Sequence, residues 1–170
     1  VLRANSWQHP KQWAEDTVTA PAPLAGCDKL VFEPSVRVEP HSHEAGSPSG
    51  DDIEVSVPQN EDPDGLATAH LKRAEVRLPE GVAINPAVAN GLATCSQEQI
   101  DLDSTAKPRC PDASKIGRVV VETPLLDEPL RGAVYQAAQG DNPFGSNFAL
   151  YLVPEGSGVR LKLPGEVSPD

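Results

Sequence analysis

Apolar and polar positions along this chain alternate with the period of two that belongs to β-strands rather than with the 3.6 of helices. Val36 and Val38 alternate with Arg37 and Glu39. Ile53, Val55 and Val57 alternate with Asp52, Glu54 and Ser56, the pattern of a half-buried strand. Leu71 to Leu78 repeats it, with Ala74, Val76 and Leu78 on one side and Arg73, Glu75 and Arg77 on the solvated other. Val119 to Val121 is a continuous apolar run and predicts a centrally placed strand. Leu130 to Ala137 and Phe148 to Val153 flank Gln139 to Gly145 and read as a hairpin with a long tip. Val159, Leu161 and Leu163 alternate with Arg160 and Lys162, and Glu166 to Ser168 reads as the start of a further segment. Pro lacks the donor a ladder needs, so Pro124, Pro129 and Pro154 are expected at strand ends or on edge strands.

Two short helices are expected between the strands. Asn85 before Pro86 combines an N-cap amide with Pro at the first helical position, and Gly91 limits the helix to one or two turns. Ser96-Gln97-Glu98-Gln99 matches a capping box, with Ile100 as the anchor. The first 25 residues hold no sustained period. A short helix across Pro10 to Asp16 is expected there, Thr17 to Pro23 reads as a linker, and Trp7 and Trp13 are expected to dock on their own domain. Turn chemistry at Pro48-Ser49-Gly50 and an acidic loop from Pro58 to Gly65 separate the strands. The pattern predicts a mainly β chain: an antiparallel immunoglobulin-like sandwich with a short helical insertion around residues 86–101. Residues 1–25 form an N-terminal extension and 26–170 the β module, which is expected to be cut short at its C-terminal end.

Composition narrows the class. The net charge of −11, from 14 basic and 25 acidic residues, repels a phosphate backbone, so nucleic acid is not an expected partner. No apolar run approaches the roughly 18 residues of a membrane-spanning helix, so no membrane insertion is expected. The chain contains no Met and starts at Val1, which predicts a piece of a longer chain whose adjoining domains are its first partners.

The cysteines are Cys27, Cys95 and Cys110, none at zinc-finger spacing. Cys95 and Cys110 bracket a polar, Pro-containing loop, and a disulfide closing it would stabilise by about 3 kcal/mol in the chain-entropy model. The alternative, two buried thiols, belongs to a reducing compartment. Cys27 is left either as a buried thiol or as the partner of a residue elsewhere.

Candidate chemistry is sparse. His41-Ser42-His43-Glu44 puts two imidazoles on one side of an extended segment, which would need a third ligand to hold zinc or copper. A polar loop before a turn is the simpler reading. Asn60-Glu61-Asp62-Pro63-Asp64-Gly65 has the spaced oxygens of a calcium loop but lacks the downstream bidentate Glu. No serine lies in a nucleophile elbow, and Asp28 beside Cys27 would raise a thiol pKa rather than lower it. No catalytic, cofactor-binding or metal residue is therefore assigned, and no cofactor is expected.

Several segments together resemble a known family. They are Gly26-Cys27-Asp28 through Pro34, Ala45 to Gly50, Leu78-Pro79-Glu80-Gly81 with Asn85-Pro86, and Gly91-Leu92 with Cys95-Ser96. Cys110-Pro111 to Ile116-Gly117, Thr123 to Leu126, and Asn142-Pro143-Phe144-Gly145 complete the series. Their order resembles a family of large, uncharacterised exported proteins of high-GC Gram-positive bacteria, over about Gly26 to Asp170, with Pro164 as a departure. The resemblance implies a β-rich extracellular or cell-envelope module within a longer chain, and it brings no catalytic residues. Two roles are expected on this basis: a non-enzymatic structural or adhesive module that meets other surface proteins, or a module that binds carbohydrate or calcium. The second would use Asp62 and Asp64, the tip from Asp141 to Phe144, and the tryptophans. A hydrolase is a third reading, requiring a cleft with facing carboxylates.

Overall fold

The structure, a computed structural model, describes residues 1–19, 25–77 and 93–168. It is mainly β, with antiparallel sheets and very little helix. The chain divides into two compact units, Val1–Val76 and Arg77–Asp170.

The first unit holds two antiparallel ribbons. Strands β1 (Leu2–Ala4) and β2 (Ala14–Asp16) pair with Arg3 opposite Glu15, whose side chains form an ion pair at 2.6 Å. The segment from Pro10 to Asp16 therefore ends in a strand and not the expected helix. Trp7 is 98% exposed and Trp13 62%, so neither tryptophan is docked. Strands β3 (Ser35–Pro40) and β4 (Asp51–Ser56) pair along their full length, Val36 opposite Val55 and Val38 opposite Ile53. This pairing agrees with the alternation, but β4 is exposed throughout and not half-buried, as a two-stranded ribbon presenting both faces allows. Leu71 to Arg77 has the alternation of a strand without a ladder. Alternation suits a side chain to a sheet face, but only a paired backbone makes a strand, and among the described residues none pairs there.

The second unit is built on one antiparallel sheet. Its strands are β5 (Lys115–Val121), β6 (Leu130–Gln136), β7 (Ala149–Gly156), β8 (Val159–Arg160) and β9 (Leu163–Glu166). The order is β5-β6-β7, with β8 and β9 both pairing β7 on its other side. Among the described residues β5 thus lies at an edge, not at the centre as its apolar run suggested. That run reports the two faces of the strand, not its hydrogen-bonding neighbours.

β8 and β9 continue a single register along β7, joined by Leu161 N–H donating to Pro154 O at 3.0 Å. Pro154 has no N–H to return, so the ladder is broken between Arg160 and Leu163. Pro154 therefore sits inside a central strand, not at an end or edge as expected. Pro164 is tolerated for the opposite reason. Leu161 and Val167 each donate to β7, and ladder bonds alternate, so the donor that Pro164 lacks would have pointed away from β7. Val167 N–H reaches Phe148 O at 3.0 Å, so Glu166 and Val167 finish β9 and do not begin a new segment.

Residues facing each other across the ladders share a face. Ala133, Tyr135 and Ala137 of β6 oppose Val153, Tyr151 and Ala149 of β7 or its extension, and a layer from residues 95–110 packs against them. Its helix α1 (Gln97–Ile100) carries the predicted capping box: Ser96 Oγ accepts from Gln99 N–H at 3.2 Å, and Gln99 Oε1 accepts from Ser96 N–H at 2.9 Å. Four residues cannot hold a helix alone. Ile100, fully buried, supplies the anchor, and burial of such a side chain stabilises by roughly 1.5–3 kcal/mol. The expected helix at Asn85-Pro86 lies outside the described residues, as do 20–23 of the expected linker and Leu78 of the expected strand.

Candidate functional site

Cys95 and Cys110 are joined by a disulfide that closes the two ends of this layer on each other. Cys95 is fully buried, and its backbone completes the end of β6: its N–H donates to Gln136 O and its carbonyl accepts from Ala138 N–H, both at 2.8 Å. Cys27 is free and exposed on a 3-10 turn, Cys27–Lys29. Beneath the layer, Tyr151 of β7 is fully buried, yet its hydroxyl has no hydrogen-bond partner among the described residues. Burial, and then the Asp141 charge, raise its pKa above the ordinary value of 10.0.

Between the layer and the edge strand lies an open hollow of about 560 Å3. Lys107 and Pro108 of the disulfide loop form one rim, Lys115 and Arg118 of β5 another, and Ala133, Tyr135 and Val153 line it from the sheet. Its width has a sequence cause. Ala133 is small, and a bulge in β5 between Lys115 and Gly117 shifts the register. Arg118 faces Ala133, and Lys115 faces Tyr135 with its Nζ 5.9 Å from the ring centre.

The charges around the hollow are unevenly matched. Glu155, its acidic lining residue, accepts from Arg160 Nε at 2.6 Å, and Arg160 also donates to Thr105 O. Lys115 Nζ holds Asp112 at 2.8 Å. That hydrogen bond, with the Lys115 charge behind it, keeps the Asp112 carboxyl below its usual range, and Lys107 adds to the effect from a distance. The side chains of Arg118 and Lys107 make no hydrogen bond or ion pair among the described residues. On a chain of net charge −11, two cations without a bonded side-chain partner among the described residues, beside an aromatic ring, are a local exception.

The other sequence candidates do not assemble. His41 pairs with Asp52 at 3.1 Å at the end of the β3–β4 ribbon, and its N–H closes the turn onto Gly50 O. Among the described residues no three His, Cys, Asp or Glu side chains converge to hold a metal ion. In the acidic loop, Asn60 and Asp62 accept from the N–H groups of Asp62 and Asp64, so these oxygens serve the turn. The tip from Asp141 to Phe144 is organised by Asn142, a buried amide that the sequence reading included in the tip without giving it this structural role. Its Nδ2 donates to Ala138 O at 2.9 Å and Ser146 O at 2.7 Å, and its Oδ1 accepts from Phe144 and Ser146 N–H. The signal was present, since Asn in a Gly- and Pro-rich tip is a turn former. Lys107, Arg118 and Tyr135 carried no such signal, being separated in sequence and joined only by the register.

Comparison with family models, with curated proteins and with solved structures gives no match for this chain.

Proposed function

We propose that this chain is a non-enzymatic β module of a larger exported protein, of immunoglobulin-like sandwich type, serving display or adhesion at the cell surface. The observation that carries the reading is the Cys95–Cys110 disulfide set inside the core of the second unit. Such a bond persists in oxidising compartments, which favours an extracellular or envelope location. Among the described residues no helix is long and apolar enough to cross a membrane. Apolar residues on the second sheet face, Val119, Val134, Leu150 and Leu152, favour the two-layered architecture. Adjoining domains of the same chain and other surface proteins are the partners this role implies.

Intact cells making the whole protein, treated with a membrane-impermeant lysine reagent, provide the test. Labelled peptides from unbroken cells are expected. Labelling only after lysis would contradict export, and turnover of a glycan, peptide or ester mapped to one carboxylate or serine would contradict the non-enzymatic role. Carbohydrate binding is a second reading, favoured by the hollow beside Tyr135.

A further inference from the structure

The geometry points to the hollow bounded by Lys107, Arg118 and Tyr135 as a binding site for an anionic saccharide, one whose sugar rings carry carboxylates. This inference rests on the second, carbohydrate-binding reading and is independent of the display role.

Three observations converge on that ligand. The hollow's volume, about 560 Å3, falls within the roughly 300–1,000 Å3 range of small-ligand sites. It opens on the sheet face that carries Ala133, Tyr135 and Val153, where the small Ala133 leaves room beside the ring. Tyr135, half-buried with Lys115 Nζ 5.9 Å from its ring centre, adds aromatic surface to the lining on which the C–H groups of a sugar can pack.

Charge then selects among saccharides. Arg118 offers a planar fork that matches a carboxylate bidentately, and Lys107 on the opposite rim offers a second, point-like cation. Glu155 is already engaged by Arg160, so the repulsion it would exert on an anion is offset within the protein. Lys115 is divided between Asp112 and the Tyr135 ring and adds less. The surplus of carboxylates elsewhere does not cancel this field, because charges beyond about 8 Å are largely screened at physiological salt. It instead disfavours adventitious capture of anions over the rest of the surface.

Calorimetry on the whole chain decides the matter with three probes. They are a hexasaccharide containing uronic acids, a neutral hexasaccharide of similar length, and a glutamate-rich hexapeptide. The uronate probe is expected to bind, and Arg118→Glu and Lys107→Glu are each expected to weaken it at least tenfold. Lys72→Glu, the same charge change in the other unit, should leave it unaltered, and circular dichroism verifies that each variant is folded. Equal binding of the neutral saccharide would overturn the anionic inference while leaving the carbohydrate reading standing. Equal binding of the peptide would reduce the hollow to a charged surface and overturn the saccharide. Silence of all three probes at millimolar concentration would remove both. Binding unaffected by the two hollow variants would overturn the site.

Discussion

Gly132 faces Pro154 across the β6–β7 ladder, and the Val153 carbonyl already occupies the space that a Cβ at residue 132 would need. The two strands approach closely here because Gly132 has no side chain to hold them apart.

Gly132→Ala is therefore expected to destabilise the second unit by more than the roughly 1–3 kcal/mol of ordinary overpacking, since the obstacle is backbone and cannot rotate away. Gly140, with open space where its Cβ would be but a φ of +68°, is a useful contrast. There an Ala substitution carries only local strain. Thermal melts of the two variants give the comparison, and an equal Tm for Gly132→Ala and the parent chain would contradict the packing described.

Tyr151 makes a prediction of opposite sign. Its hydroxyl is buried without a partner among the described residues, and an unpaired buried polar group costs about 1–3 kcal/mol. Tyr151→Phe should leave stability unchanged or raise it, whereas Tyr151→Ala should lose about 3–5 kcal/mol as an emptied aromatic site does. Denaturant unfolding of both variants checks this. A large loss in Tyr151→Phe would mean that the hydroxyl is satisfied.

Asn142→Ala should cost several kcal/mol, because four hydrogen bonds at about 0.5–1.5 kcal/mol each vanish and two carbonyls lose a donor. Asn142→Asp should be no better, since a carboxylate cannot donate to Ala138 and Ser146. Proteolysis within residues 138–146 is expected to accelerate in both. Unchanged cleavage would show that the amide does not hold the tip.

Asp112 and Lys115 set a pH dependence through one exposed pair. The hydrogen bond from Lys115 lowers Asp112 below 3.8, and the same bond, followed by Tyr135 and the Asp112 charge, raises Lys115 above 10.5. For the depressed carboxyl, the stabilisation is present above 3.8 and is lost as pH falls through the lower folded value. For the raised amine it is present below 10.5 and is lost as pH rises through the higher one. The pair thus adds no slope between these limits. Carbon-detected NMR titration should show Asp112 returning to its ordinary range in Lys115→Gln, and an unaltered value there would contradict the pairing.

How much of this was legible in the sequence depended on how local each cause is. The capping box at Ser96 and Gln99, the anchor at Ile100 and the β3–β4 alternation all act within a few residues, and each is where its pattern placed it. Leu71 to Arg77 shows the limit, since alternation there found no partner strand among the described residues. The apolar run of β5 misled for a related reason: β5 lies at an edge, while Pro154, which looked like an edge residue, lies inside the sheet. The hollow was invisible because Lys107, Arg118 and Tyr135 meet only through a bulge, a register and a disulfide loop.

The central claim is that a disulfide closes the 95–110 layer packed on the second sheet, and on it the proposed export rests. Peptide mapping by mass spectrometry without reduction, on protein made in an oxidising host, tests it most directly. The account predicts a Cys95–Cys110 link, with Cys27 outside it and open to alkylation. Three alkylatable thiols, or a link that joins Cys27 to Cys95 or Cys110, would contradict it.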